Sequence, residues 1–283
     1  MTQFTILANG YKLPTIGFGT WKAAENQNEQ IIAMAIEAGY RYFDTASFYG
    51  TETYVGRAIA NSQLAREDFF IASKVWKDQL GYEETKRAFE ETLQSLGTDY
   101  LDVYLIHWPL PTPDMEDKEW KALDIETWKA MEELYEAGRI RAIGVSNFLP
   151  HHLHNLLQNC KIKPMINQVE LHPGYMQHAT VQYCKEHAVV LQAWSPVGRG
   201  RVLAEPLIVK LAAKYKVSPA KICLQYLLQQ DIMIVPKSSS IERMKDNLTG
   251  FDFRIEQEDM WRMDTLPQMG WNGEHPDYER ASV

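Results

Sequence analysis

The stretch Glu83–His107, EETKRAFEETLQSLGTDYLDVYLIH, decides the fold. Glu83–Ser95 has the amphipathic spacing of a helix and stops at Gly97, and Leu101-Asp102-Val103-Tyr104-Leu105-Ile106 is a short apolar run that ends on His107. A helix feeding a buried strand is the unit of a parallel sheet. Working outward, the same unit recurs. Strands are expected near Thr15–Gly19, Tyr42–Asp44, Phe69–Lys74, Leu101–His107, Ala142–Ser146, Met165–Glu170, Val189–Trp194 and Ile232–Pro236. Helix punctuation lies between them: Gln30–Glu37 stops at Gly39, Glu126–Ala137 stops at Gly138, and Ser218-Pro219 pairs a Ser cap with Pro at the first helical position. Eight such strands, with no Pro/Ser-rich linker, predict an α/β chain folded as a single (β/α)8 barrel over residues 1–283. Phe4–Leu7 and Lys12-Leu13 flank Asn9-Gly10, which predicts an N-terminal β-hairpin plugging the barrel's lower end. From Pro267 to Val283 the chain reads as a short C-terminal surface loop with a mobile end.

Composition narrows the partners. The chain has 283 residues, 29 Lys+Arg against 37 Asp+Glu, a formal charge of −8 and no basic run, which argues against nucleic acid. Cys160, Cys184 and Cys223 cannot all pair and show no C-x-x-C spacing, so neither a disulfide framework nor a thiolate zinc site is expected. No basic-then-apolar leader and no membrane-length apolar stretch is present, so a cytoplasmic location without membrane contact is expected.

In such a barrel, chemistry is built from the C-terminal ends of strands. Strand two ends in Asp44 with Tyr49 in the following loop, strand three ends in Lys74, and strand four ends in His107. A neighbouring ammonium is expected to bring the Tyr49 phenol toward useful acid/base range, with Asp44 as the counter-charge of Lys74 and His107 orienting a carbonyl. The set suits handing a proton to a carbonyl oxygen while a nicotinamide cofactor supplies hydride. Strand eight runs into Lys237-Ser238-Ser239-Ser240-Ile241-Glu242-Arg243, a cationic, hydroxyl-rich loop opening a helix and an apt anion cradle. After strand seven, Trp194-Ser195-Pro196 sets an indole at the mouth, followed by Gly198-Arg199-Gly200-Arg201.

Three segments carry a family resemblance. Gly39–Ala46 through Tyr49, Glu52 and Gly56, then Arg139–Phe148, then Val235–Ser238 through Arg243 and Asn247 together resemble the signatures of the aldo-keto reductases. With the barrel pattern, the likeness covers nearly the whole chain. It implies NADPH-dependent reduction of aldehydes and ketones (small carbonyls, keto sugars or α-dicarbonyls), with Tyr49 as general acid, Lys74 and Asp44 tuning it and His107 orienting substrate. On matching positions, Ser146, Asn147 and Gln168 would hold the nicotinamide carboxamide and Trp194 would stack on its ring. Lys237, Ser238 and Arg243 would take the 2′-phosphate and Asn247 the adenine, with Thr20, Ser195 and Ser239 in the same cofactor cleft. Trp21, Phe48, Trp76 and Trp108 would line the substrate pocket. The short loop after Trp194 and the short tail are most similar to small bacterial-type aldehyde and 2,5-diketo-gluconate reductases, and the likeness leans to a monomer. Tyr42 stands where smaller or aliphatic residues are usual, and its side chain is expected to face away from the site. Asp246 stands where many relatives carry a glutamate near the adenine.

Other readings compete. A cofactor-binding regulatory module with little turnover is one alternative; an acid/base hydrolase using Asp44 and Glu170 is another. His151-His152-Leu153-His154 looks like a metal cluster but reads better as a solvated helix start, and no metal is expected. Gly17-Phe18-Gly19-Thr20 lacks the third glycine of a dinucleotide fingerprint, because Lys22 takes its place. Met115–Glu119 reads as solvated surface, and Trp120 as loop packing.

Overall fold

A computed structural model describes residues 3–22 and 28–278; residues 1–2, 23–27 and 279–283 lie outside the described residues. β1 (Phe4–Ile6) and β2 (Lys12–Pro14) form the antiparallel hairpin. β3 (Phe18–Gly19), β4 (Tyr42–Asp44), β5 (Phe70–Val75), β6 (Leu101–Ile106), β7 (Ile140–Ser146), β8 (Ile166–Glu170), β9 (Val190–Trp194) and β10 (Met233–Ile234) form one parallel sheet in chain order. Its edges meet through an Ile16–Ile234 bridge and the bonds Gly17 N to Ile234 O, Ile234 N to Thr15 O and Gly19 N to Pro236 O. The sheet thus closes on itself as the expected (β/α)8 barrel. β3 and β10 are shorter than the runs around them, because at the seam the ladder thins to these few bonds.

Helices α1 (Asn28–Ala38), α2 (Glu52–Asn61), α3 (Tyr82–Leu96), α4 (Asp117–Glu136) and α5 (Pro150–Asn159) follow in order. They are continued by α6 (His178–Glu186), α7 (Pro206–Tyr215), α8 (Pro219–Leu228), α9 (Ile241–Leu248) and α10 (Gln257–Asp264). Helix α4 begins at Asp117, well before the expected Glu126: the charge run is solvated, but it forms the helix's first turn, where acidic side chains suit the dipole. Trp120 is accordingly a buried helical residue rather than loop packing. α2 and α3 touch at Gly56, where a Cβ would stand 2.2 Å from the Leu96 carbonyl oxygen. That contact explains why the first signature carries a glycine there.

Strand alternation sorts the core. Phe43 of β4 packs outward with Phe18 and Phe69, while Tyr42 and Asp44, two residues apart, point into the barrel. Every residue of β6 is buried. The hairpin closes the lower end: Leu13 is buried, and the Tyr11 hydroxyl donates to Asp102 Oδ1 (2.6 Å) at the start of β6. Asp102 also accepts from Arg66 Nη2 and the Ile71 amide, each at 2.8 Å. Tyr11→Phe removes one of these bonds to a charged acceptor and is expected to cost about 1–2 kcal/mol, read from the urea midpoint. An unmoved midpoint would mean that the hairpin is not anchored there.

The tail is a loop, as expected, and it is packed against the barrel. The Met269 amide donates to the Gly174 carbonyl (3.0 Å), Trp271 stacks on Tyr175, and the amide of the buried Asn272 faces Glu170 Oε2 at 3.4 Å. Residues 267–278 therefore wall the upper mouth.

Candidate active site

The strand ends open into one cavity of about 1420 Å³, which runs from Trp21, Phe48, Trp76 and Trp108 at one end to Arg243 and Asn247 at the other. Asp44, Tyr49 and His107 line it near the aromatic end; Ser146, Asn147, Gln168, Trp194 and Ser195 lie on its wall; Lys237, Ser238 and Ser239 lead to the far end. Two expected site residues stand behind this surface. Lys74 is fully buried beneath Tyr49, and the buried Thr20 hydroxyl is turned to the Asp44 carbonyl (3.0 Å) and to Thr51 (2.9 Å).

Lys74 is saturated. Its ammonium donates to both Asp44 carboxylate oxygens (2.9 and 2.8 Å) and to the Thr45 carbonyl (2.9 Å), and lies 3.5 Å from the Tyr49 hydroxyl and 4.9 Å from the tyrosine ring centroid. Burial pulls the Lys74 pKa down, and Asp44 works against that pull. Tyr49 departs from expectation. Its phenol is held well above the ordinary range, first by burial, then by the carboxylates of Asp44 and Glu274, with Arg199 opposing them. The ammonium does not win, because Asp44 neutralises it from behind and burial disfavours the phenolate. Tyr49 is therefore a protonated phenol.

His107 lies 3.3 Å through Nε2 from the Tyr49 hydroxyl, and burial, then Lys74 and Lys77, hold its pKa well below the ordinary value. The ring is neutral. Its buried Nδ1 has no partner among the described residues, and a bare lone pair is cheaper to bury than an orphaned N–H. That places the hydrogen on Nε2, facing Tyr49.

The barrel interior connects this centre to the opposite wall. Gln168 Nε2 donates to Asp44 Oδ1 and to Gln192 Oε1, both at 2.7 Å, and Gln192 Nε2 donates to the Tyr42 hydroxyl at 3.0 Å. Tyr42 thus joins the site's network instead of facing away, since two steps along β4 from Asp44 return to the same face. Both Gln168 hydrogens are committed, which leaves Oε1 as its free acceptor. Ser146 Oγ donates to the Gln168 carbonyl (2.9 Å), Asn147 Nδ2 to the His107 carbonyl (3.0 Å), and Trp194 Nε1 to Asn147 Oδ1 (2.9 Å). Asn147 and Ser195, at the ends of β7 and β9, hold left-handed φ of 62° and 49°. Such strain persists where the surroundings fix a side chain for use.

At the far end Ser240 caps α9, its Oγ accepting from the Arg243 amide, and Arg243 Nε donates to Ser238 Oγ (3.2 Å). Neither Lys237 nor Arg243 has a carboxylate partner among the described residues, so the loop presents two unpaired cations and a helix N-terminus. Asp246 turns aside to Ser218 Oγ (2.9 Å) and Lys221 Nζ (3.3 Å). A long cleft with an indole wall, a free amide acceptor at its middle and cations at its end fits a phosphorylated dinucleotide.

His152 departs from the solvated helix start. It is fully buried, its Nδ1 accepts from the Leu149 amide (3.1 Å), and Nε2 lies 2.8 Å from Asp277 Oδ1; His151 Nε2 stands 3.2 Å from the other Asp277 oxygen. A neutral ring that accepts at Nδ1 carries its hydrogen on Nε2, beside the Asp277 carboxylate, and the ligand atoms of His151, His152 and Asp277 lie within 4.8 Å of one another. The pair anchors the tail.

The aldo/keto reductase family's sequence model matches residues 15–267. The chain belongs to the aldo/keto reductase family. It is 45% identical over 273 residues to a glyoxal reductase of Bacillus subtilis, covering 96% of this chain and 95% of that one. Among solved structures it is similar to an aldo/keto reductase from Brucella melitensis, with TM-score 0.86, 37% identity and coverage of 93% of this chain and 98% of that chain. It is likewise similar to an aldo-keto reductase of Bombyx mori in complex with NADP, with TM-score 0.85, 30% identity and coverage of 100% and 96%. As a member of this family, the protein is an oxidoreductase.

Four contributors to the cavity and its network escape motif reading: Gln192, Lys77, and from the tail Glu274 and His275. Gln192 was within reach, two residues before Trp194 on one strand and so on the same face. For the tail no periodic signal exists.

Proposed function

We propose that this aldo/keto reductase uses NADPH to reduce small aldehydes and ketones to alcohols, with Tyr49 as general acid. One observation carries the reading: the Tyr49 hydroxyl lines the cavity with Lys74 Nζ 3.5 Å behind it and His107 Nε2 at 3.3 Å, so its own hydrogen is left to face the cavity. A carbonyl oxygen placed there takes that proton and a second hydrogen bond from His107, which steadies the charge that develops on it. Lys74 then supports the tyrosinate left behind, and Asp44 keeps Lys74 charged in a buried place.

The nicotinamide cofactor, when bound, supplies the hydride. Gln168 Oε1 suits its carboxamide as acceptor, Ser146 and Asn147 frame the same end, and the Trp194 indole offers a stacking wall. Lys237, Ser238 and Arg243 suit the 2′-phosphate, with Asn247 toward the adenine. Cys160, Cys184 and Cys223 are all unpaired, which favours a reducing cytoplasmic setting.

The test follows loss of NADPH absorbance over a panel of aldehydes, α-dicarbonyls, keto sugars and keto esters. Turnover on members of the panel supports the reading, and NADPH binding without turnover on any of them overturns it. Arg243→Ala removes charge-assisted bonds, so the Kd for NADPH is expected to rise about 10- to 100-fold. NADH should change far less, and equal losses would remove the 2′-phosphate assignment.

A further inference from the structure

The substrate end of the cavity carries a charge that the reduction itself does not use. Lys77 lies half-buried at the rim, its ammonium 5.5 Å from the Trp76 ring centroid and 5.8 Å from that of Trp108. Among the described residues it has no ion pair and no hydrogen bond, unlike Lys74 below it. Trp76 in turn stands 4.9 Å from the His107 ring and 3.8 Å from Phe48, so Lys77 caps the aromatic wall beside the reacting centre.

The surroundings share its sign. Lys22 and Arg199 also line this end, against Glu274 from the tail and Asp44, whose charge is taken by Lys74. The chain as a whole carries −8, so cations gathered at the mouth oppose the overall balance. The field of Lys77 reaches His107, whose pKa it helps to lower. A cation held between indoles and left without a counter-ion is an attachment point for an anion, strengthened by the low-dielectric walls.

Resting on the reductase reading above, we propose that Lys77 is a specificity-determining residue that selects carbonyl substrates bearing a carboxylate or similar anionic group. The anionic group seats against Lys77 between Trp76 and Trp108 while the carbonyl oxygen meets Tyr49 and His107. Flat or aromatic carboxylates suit the indole walls best. Neutral carbonyls remain substrates but lack this anchor.

The probes are 3- and 4-formylbenzoate against 3- and 4-formylbenzamide, pairs of similar shape that differ in charge, with the change of each ratio between wild type and variant cancelling their difference in electron demand. Wild type is expected to favour at least one carboxylate over its amide in kcat/KM. In Lys77→Met, which keeps the stem over the indoles, that ratio should fall about tenfold, chiefly through KM. Lys77→Glu should reverse the preference, and in wild type the ratio should shrink as ionic strength rises. A wild-type ratio near one for both pairs, or equal losses on carboxylate and amide in Lys77→Met, would overturn the proposal while leaving the reductase standing. No turnover of any probe or of the wider panel would instead overturn the reductase reading, and this inference with it.

Discussion

Tyr49→Phe is expected to lower kcat about 10²- to 10⁴-fold while leaving the Kd for NADPH within a few-fold of wild type. Burial and the Asp44 and Glu274 carboxylates keep the phenol protonated, and its oxygen lies between Lys74 Nζ at 3.5 Å and His107 Nε2 at 3.3 Å. Its hydrogen is therefore the proton best placed to reach a carbonyl oxygen in the cavity. Phenylalanine keeps the ring against Trp21, at a centroid distance of 4.9 Å in the parent, so the packing survives and only the proton is lost. His107 cannot replace it, because a neutral imidazole held by burial donates a hydrogen bond but remains a poor proton source. Single-turnover kinetics with saturating NADPH isolates the chemical step. Turnover at the wild-type rate would remove Tyr49 from its role.

The second large effect is on stability. Lys74→Met leaves the Asp44 carboxylate buried with Gln168 as its remaining donor among those described here. Breaking a buried pair in this one-sided way costs about 3–5 kcal/mol, well beyond the loss of a surface ion pair. Asp44→Asn added to Lys74→Met removes the stranded charge and should restore at least half of the lost stability, measured by urea unfolding. A single-variant loss below about 1 kcal/mol would show that water reaches Asp44 and that the pair is not sealed. Activity should fall in both variants, since neither has an ammonium under Tyr49.

The barrel was legible in the sequence because its signal is repeated. β5, β6 and β8 are long buried runs, and each lies close to its expected place. β3 and β10 are poorly bounded by their own residues, since a two-residue ladder carries no period. Helix α4 begins with charged residues that read as loop until Trp120 turns inward. At the site, the residues near strand ends could be read directly, because Asp44 closes β4, Lys74 is the last residue but one of β5 and His107 directly follows β6. The electrostatics could not: whether Lys74 lowers the Tyr49 pKa depends on how much water each has lost, a property of depth rather than of order along the chain. His152 was misread for the same reason. The tail was least legible, since Asn272 and Asp277 acquire meaning only from Glu170, His151 and His152, which are distant in sequence.

The thin seam between β3 and β10 has a consequence for the molecule's breathing. Pro236 takes one of the few bonds across it, and Lys237 follows at once; on the other side, a Cβ on Gly19 would stand 2.9 Å from the Val235 carbonyl oxygen. The place where the cylinder is most weakly stitched is thus the place where an anion would be gripped. If Lys237 and Arg243 clasp the cofactor as proposed, its binding would be linked to closure of the seam, and saturating ligand would stabilise the barrel wall there.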